Sequence, residues 1–447
     1  MVCIVFRFTR RCPDKPVIED SHLLRNVLSI SSINVFIQVF GVFSGILIAR
    51  LFGPEGRGEY AAIILWPTIF TSIGLMGLDV KFAQLASKKA YTKSELYGLS
   101  VFFASTIGIL LVLIGFFVFP QLLATSAQHL ESAVRLYSLA IPFSLLVAYI
   151  SAVELGSQDI RRYNYCRFFY SPLYLIFLIG LYFAEERRIE YAAYLVVLAS
   201  AINSVFWASS AASFRNIFRI EKIRLLKDSV KLGISNLTLS VTGHLSSIIL
   251  VSLASMQEVG FYMVAQTAAS SLAPISHAIA KVLFSKALTK DKDDFVTRIP
   301  MIYRLLFVIY GSACAGLFIV SYALLPIIFG EDFSSARFML GYLVPAAGLS
   351  ALVAVLDEML KGVNVTAPGI FARLIGTLFL LVLGSLVFIE FGIVGFMAMV
   401  MVRAVIEIVA LSVKMVVDLN LDIRSLCTPR MEDFSYLIKA LNGSKAR

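Results

Sequence analysis

Residues 34–60 read NVFIQVFGVFSGILIARLFGPEGRGEY, and residues 236–262 read NLTLSVTGHLSSIILVSLASMQEVGFY. Laid over one another at an offset of 202, they match without a gap at Asn34/Asn236, Val39/Val241, Gly41/Gly243, Ser44/Ser246, Ile46/Ile248, Leu51/Leu253, Gly58/Gly260 and Tyr60/Tyr262. In so apolar a chain the agreement at glycine and polar positions decides the matter: the protein is a duplication. The glycine-rich turn also excludes one chemistry. Gly53 and Gly58 have the spacing of a phosphate-cradling loop, but such a loop continues with Lys and then Ser or Thr. Here Glu59 and Tyr60 follow, and a carboxylate in the lysine's place repels phosphate. What precedes Gly53 is a helix-length apolar run, so the turn is a helical hairpin.

Working outward, 59% of the 447 residues are hydrophobic and only 15% are charged, against roughly a quarter charged in soluble domains. The apolar residues come in blocks long enough to cross a bilayer, about 20 residues each. Twelve spans are predicted: 26–49, 60–78, 97–118, 134–157, 167–184, 191–213, 229–253, 259–280, 303–329, 337–360, 367–389 and 391–416. Backbone polar groups in hydrocarbon must satisfy one another, and the pattern lacks the alternation of a β-barrel, so the spans are helices. The expected fold class is an all-α integral membrane protein of about 12 transmembrane helices, in two parallel six-helix lobes around a central cavity.

Basic residues flank spans on the cytoplasmic side. With the amino terminus inside, cytoplasmic segments hold 32 of the 39 basic residues, outer loops hold 6, and Arg403 alone lies mid-span. Both termini are therefore expected in the cytoplasm. The net charge of +10 reflects topology and anionic headgroups and gives no independent argument for nucleic acid. Cys3, Cys12, Cys166 and Cys427 fall on the reducing side and Cys314 within a span, so no outer loop offers a disulfide. The four histidines, His22, His129, His244 and His277, are scattered, and no cluster has metal-ligand spacing. The expected organisation is a cytoplasmic tail (1–25), an N-lobe (26–213), a basic linker (214–228), a C-lobe (229–416) and a second cytoplasmic tail (417–447).

Six spans per copy make the repeats parallel, an arrangement found in transporters with substrate at the interface between halves. Prolines 67, 142, 172, 274, 326 and 345 fall in predicted spans, where a missing donor tends to kink a helix.

The run 24–67, the segment GSQDIRRYNYCRF (156–168), the block LLPIIFGEDFSSARFMLGYLVPA (324–346) and FGIVGFMAM (391–399) resemble bacterial polysaccharide and O-antigen flippases of the multidrug/oligosaccharidyl-lipid/polysaccharide exporter superfamily. The resemblance runs nearly end to end. It implies two six-helix lobes forming a V in the bacterial inner membrane, and a cavity moving an undecaprenyl-diphosphate-linked oligosaccharide between leaflets for O-antigen, capsule or exopolysaccharide biosynthesis. It implies no enzyme activity and no cofactor, and leaves coupling to a proton or sodium gradient open. The implied partners are the lipid-linked oligosaccharide, membrane lipids, and a polysaccharide polymerase and chain-length regulator. Lipid II flippases look similar around 24–53 but carry arginines where this chain has Gln38 and Ser44. Cation-coupled multidrug exporters often place a carboxylate in the first span, which here offers Asn34 and Gln38.

Charges at membrane depth face a cavity or a partner. The candidate substrate-binding residues are therefore Arg403, Gln38, Asn34, Asn236, His244, Asp79 and Lys81. Arg403 can grip a diphosphate or form an i,i+4 ion pair with Glu407. Asp357 and Lys361 form a second such pair beside Glu358, and these four residues (Glu407, Asp357, Glu358, Lys361) are coupling or structural candidates. Arg373 and Arg304 are expected to snorkel to headgroups, and Arg50 and Arg57 to stabilise the hairpin with Glu55 or Glu59. Two rivals stand beside transport of lipid-linked sugars: export of drugs or other lipids by the same architecture, and a membrane polysaccharide polymerase or glycosyltransferase.

Overall fold

The computed structural model describes residues 17–89, 91–123, 125–209, 227, 229–230, 242–289, 292–363, 365, 367–422 and 426. Residues 1–16 of the first tail, most of the basic linker, Asn236 and most of the last tail lie outside them. Every regular element among the described residues is helical, so the chain is an all-α integral membrane protein. The lipid-facing character is direct: in the apolar window of Ala367–Leu419 only 11% of residues are buried, and Phe117, Phe183 and Ile389 project outward. A soluble core would not leave such faces bare.

Helix α1, Val17–Leu75, is broken at Gly53, whose φ of 67° is left-handed. The 47 apolar residues Ser29–Leu75 would reach about 70 Å as one rod, over twice the roughly 30 Å hydrocarbon core. They are two spans, and the predicted glycine turn separates them. Then follow α2 (Leu78–Ser87), α3 (Lys93–Leu122), α4 (Glu131–Tyr137), α5 (Ala140–Gly156), α6 (Ile160–Phe168), α7 (Tyr170–Phe183), α8 (Ile189–Ser209), α9 (Thr242–Leu253), α10 (Met256–Ala269), α11 (Ala273–Thr289), α12 (Lys292–Phe329), α13 (Ala336–Gly362), α14 (Ala367–Phe379) and α15 (Ser385–Leu419). Residues 380–384 form a π-helical turn between α14 and α15. Gly392 (φ 60°) breaks α15 as Gly53 breaks α1, close to the hinge expected near 389–391.

One expectation needs correction. The predicted span 134–157 is not one rod: α4 and α5 meet at 46°. Prolines 142, 172 and 274 stand in the first turns of α5, α7 and α11, each just after a break in the helix, where the donor they lack would have bonded across that break. Pro67 and Pro345 do lie inside helices.

The helices group into two compact units. The amino-terminal unit spans Ser32–Val264 with Pro326–Ser334, and its decisive contact is between the repeat copies. A Cβ built on Gly58 would stand 3.0 Å from the Gly260 nitrogen and overlap the Met256 carbonyl. One on Gly260 would stand 3.2 Å from the Gly58 nitrogen and overlap the Pro54 carbonyl. Met256 is Pro54 plus 202 and Gly260 is Gly58 plus 202, so the crossing is reciprocal under the repeat. Burial agrees: Ser44 and its mate Ser246 are each 7% exposed. Arg50 does not pair within its own turn. It caps the end of α12, donating from Nε to the Ile328 carbonyl at 2.8 Å and from a terminal nitrogen to Ile327, carbonyls that lack helical donors.

At the other end of this unit a charge is fully buried. Glu154 accepts from Lys93 Nζ at 2.7 Å and from the Tyr97 hydroxyl, with Arg162 at 3.9 Å. Asp159 caps α6 through the Arg162 nitrogen and holds Lys93 from the far side at 3.5 Å. The carboxyl-terminal unit comprises the described residues of Met1–Ser31, Ala265–Leu325 and Ser335–Arg447. Its core joins Ile279, Ile299, Leu352, Leu356, Leu411 and Met415.

Two outcomes follow. Gly58→Ala or Gly260→Ala forces backbones apart and costs about 1–3 kcal/mol, whereas Gly243→Ala, whose Cβ meets nothing within 4 Å, is tolerated; size-exclusion of heated detergent extracts reads the difference. Lys93→Met leaves the fully buried Glu154 with only the more distant Arg162 as its cation and costs about 1–3 kcal/mol, and adding Glu154→Gln recovers part of the loss in the same assay.

Candidate functional site

The amino-terminal unit holds a cavity of about 620 Å³ between α1, α5, the start of α7 and α8. Its walls are mixed by design of the sequence. Ile37 and Gly41 come from α1, Ser144, Val147 and Ser151 from α5, Ser171 from α7, and Ser200 and Asn203 from α8. Tyr137 and Tyr170 add two aromatic faces with hydroxyls. Gly41 has no atom within 4 Å of where its Cβ would stand, so the absence of a side chain leaves room.

Arg167 is the charged member of the lining. Asp159 fixes the start of α6, which brings Arg162 toward Glu154 and leaves Arg167, on the last turn, to the cavity. Its Nη1 donates to the Tyr163 hydroxyl at 3.0 Å and its Cζ lies 5.1 Å from that ring's centroid. Asn203 donates to the Cys166 carbonyl at 3.3 Å, while its own carbonyl oxygen is buried without a partner. The cavity therefore offers one guanidinium, a set of hydroxyls and an unused amide oxygen, with no carboxylate in its lining. That combination receives anions and sugar hydroxyls.

A second cavity, of about 430 Å³, lies between α12 and α13 in the carboxyl-terminal unit. Its lining, with Phe307, Phe318, Gly341, Pro345 and Leu352 around Cys314, carries no charge and is built for an apolar occupant.

The residues singled out from sequence take other places. Asn34, Gln38 and His244 are half-buried, and none belongs to the lining of either cavity. Asp79 is half-buried at the start of α2, one oxygen buried without a partner; Lys81 lies one half-turn on. Arg403 Nε holds Glu407 at 2.8 Å, and the buried Glu407 carboxylate rests on Gly376, where a Cβ would come within 2.7 Å of Oε1. Asp357 is buried and held by Lys361 at 3.1 Å and by Arg373 at 3.1 Å. Glu358 bridges Lys361 at 2.9 Å and Lys281 at 3.1 Å.

Three expectations on basic residues are thereby corrected. Arg373 turns inward because the buried Asp357 needs more than one cation, rather than snorkelling. Arg304 is 9% exposed and so does not reach headgroups. Glu59 pairs with His129 Nε2 at 2.7 Å and not with Arg50 or Arg57. Sequence reasoning missed Glu154 and Arg167. Glu154 stands inside a predicted span, so the rule that exposed Arg403 applied to it equally; Arg167 was absorbed into the cytoplasmic count of basic residues, which records side but not direction.

With this geometry in place, the chain can be set beside known proteins. No curated protein matches it in sequence. Among solved structures it is similar to an inward-facing multidrug resistance MATE family transporter of the MOP superfamily, at TM-score 0.68 and 15% identity over 88% of this chain and 99% of that one. It is similar also to the lipid II flippase MurJ in an inward closed conformation, at TM-score 0.66 and 16% identity over 92% of this chain and 90% of that one. A third, from Pyrococcus furiosus, is a MOP superfamily transporter described by the reverse polarity of its binding pocket, at TM-score 0.52 and 15% identity over 89% and 96% of the two chains. At this identity the likeness is one of fold, shared with two transporters and a flippase. The model of the polysaccharide biosynthesis protein family matches residues 23–285, more than half the chain, and the protein belongs to that family.

Proposed function

We propose that this protein carries lipid-linked oligosaccharide repeat units, borne on undecaprenyl diphosphate, across the bacterial inner membrane for O-antigen, capsule or exopolysaccharide assembly. The two halves, 26–213 and 229–416, act as lobes that alternate access to a hydrated cleft, with both termini in the cytoplasm. Family membership supports the substrate class. The observation that supports it chemically is the cavity of about 620 Å³ lined by Arg167, serines, Asn203 and tyrosines without a carboxylate. A cationic drug needs the opposite polarity, because a buried guanidinium repels it in a medium of low dielectric.

The chain makes and breaks no bond in this reading. Arg167 takes the anionic group, since a planar guanidinium meets phosphate or carboxylate through paired hydrogen bonds. The serine hydroxyls and Asn203 take sugar hydroxyls in varied geometries, and the prenyl tail stays in lipid or against apolar surface. Glu407, which Arg403 holds at 2.8 Å, and His244 are proposed to take up a coupling proton where the gradient drives transport.

In a strain lacking the protein, complete lipid-linked units should accumulate in the cytoplasmic leaflet. Restoration by Arg167→Ala should be at least tenfold poorer than by the wild type at equal expression. Full units displayed outside but left unpolymerised would indicate a polymerase, and dye efflux that tracks expression would indicate a drug exporter. For coupling, transport by the Glu407→Gln, His244→Ala double variant should lose its response to collapse of the proton gradient; a response equal to the wild type's removes both residues from that role.

A further inference from the structure

Arg57 lies in the glycine turn that opened the sequence, yet it is only 7% exposed. Its Nε is buried without a hydrogen-bond partner. Among the described residues no carboxylate pairs with it, Glu59 being engaged by His129. Its neighbours are aromatic and glycine. The guanidinium carbon is 5.9 Å from the Tyr60 ring centroid, Tyr60 and Tyr174 share a 2.8 Å hydroxyl contact, and Tyr174 stacks at 5.9 Å on Tyr170, which lines the cavity.

Helix α1 connects the same two places. Ile37 and Gly41 line the cavity, and Gly45, four residues further, continues their face by one turn, about 6 Å. A Cβ on Gly45 would lie 3.8 Å from Arg57 Nη2. The side-chain-free face of α1 therefore leads from the cavity to the guanidinium. Arg167 belongs to the cavity lining, and Arg57 lies beyond that lining, beside Gly45 one turn of α1 past Gly41.

Burying a charge without a counter-charge is expensive, several kcal/mol even after relaxation, and charges at membrane depth face a partner or a pathway. The three buried carboxylates among the described residues, Glu154, Asp357 and Glu407, each have a cation within 3.1 Å. Arg57 has nothing comparable. A purely structural arginine at this position would be expected to hold a carbonyl or carboxylate, as Arg50 does two turns earlier.

We propose that Arg57, reached along the Gly41–Gly45 face, is an oxyanion-binding station beyond the cavity lining. Its ligand is a phosphate or carboxylate group, and in transport that group belongs to the carried substrate, which rests on the reading given above. With Arg167 it makes two cationic stations, one within the hydroxyl-lined space and one beyond it, so an anionic headgroup leaving one is received by the other.

The test is equilibrium binding to the purified full chain in detergent micelles, with inorganic pyrophosphate and glucuronate as separate probes and ionic strength held constant with chloride. At least one probe should raise the melting temperature of the wild type in a saturable way. Pyrophosphate acting alone assigns the station to the diphosphate linkage, and glucuronate acting alone assigns it to an acidic sugar. Arg57→Met should raise the half-saturating concentration at least tenfold while its ligand-free melting temperature equals or exceeds the wild type's, because a lone buried charge has been removed. Gly45→Leu, which keeps the charge and fills the approach, should weaken binding as much; this variant decides the matter if Arg57→Met does not fold. Unchanged half-saturation in either variant, or no response of the wild type to either probe, overturns the proposal. So does a lower ligand-free melting temperature in Arg57→Met with an intact anion response, the signature of packing against Tyr60. The assay reads anion binding and not transport. A positive result in a protein whose deletion strain still displays lipid-linked units outside keeps the station and removes the flippase reading; full rescue of transport by Arg57→Met removes the station from the transport cycle and leaves the flippase reading intact.

Discussion

Two segments 202 residues apart cross at Gly58 and Gly260 so closely that each glycine nitrogen lies about a van der Waals contact from where the other's side chain would begin. Lipid supplies no hydrophobic force to press helices together, so close backbone approach through small residues has to supply the association. That crossing sets the height and angle of the Gly53 turn. The turn in turn places Arg50 on the open carbonyls of Ile327 and Ile328, and Phe261 edge-on to Phe333 at 6.1 Å. The descending face of α1 from Gly45 to Ile37 is then fixed against the cavity. A duplication alone would give two similar bundles; the reciprocal glycine contact is what makes their equivalence a packing fact.

The second constraint is electrostatic. Two of the buried carboxylates sit where two elements bring cations to them, Glu154 between the start of α3 and α6 and Asp357 between the end of α13 and α14, while Glu407 takes Arg403 from its own helix and rests over Gly376. Breaking such a pair leaves an uncompensated charge, which is why these networks hold helix ends together even though pairing itself contributes little net stability. Within the amino-terminal unit, Glu154 and Asp159 are taken up by Lys93 and Arg162, which leaves Arg167 in a cavity lining that holds no carboxylate.

The all-helical membrane character, the turn at the Gly53 run and the hinge near 389–391 were legible in the sequence, since they depend on local composition; the repeat named Gly58 and Gly260 as mates, but not that they touch. The i,i+4 pairs Arg403–Glu407 and Asp357–Lys361 were legible for the same reason: helical geometry alone brings them together. The cavity was not. Whether Arg167 turns toward a cavity or a headgroup depends on the direction in which α6 leaves its Asp159 cap, and periodicity carries no information on that. Arg373 was misread because its partner Asp357 lies 16 residues away across a helix turn. Arg57 was assigned to a nearby glutamate by proximity in sequence, whereas the chain reverses at Gly53 and brings the guanidinium back beside Gly45 of the preceding segment.

A carrier must hold its cargo firmly enough to select it and loosely enough to release it on the other side. A cluster of arginines at one point would select an anion strongly and then retain it, because in a low-dielectric cleft each added guanidinium deepens the well by more than it would in water. Separating the two cations along a wall of hydroxyls gives each station a single charge-assisted contact, on the order of 1.5–3 kcal/mol, and lets gain at one offset loss at the other as the headgroup moves. In the proposed reading, the serines and Asn203 of the lining would meet sugars through hydrogen bonds that exchange readily with water, which leaves the glycan free to vary. Selectivity for the anion and tolerance toward the sugar then arise from the same arrangement, and neither requires a residue that recognises one glycan.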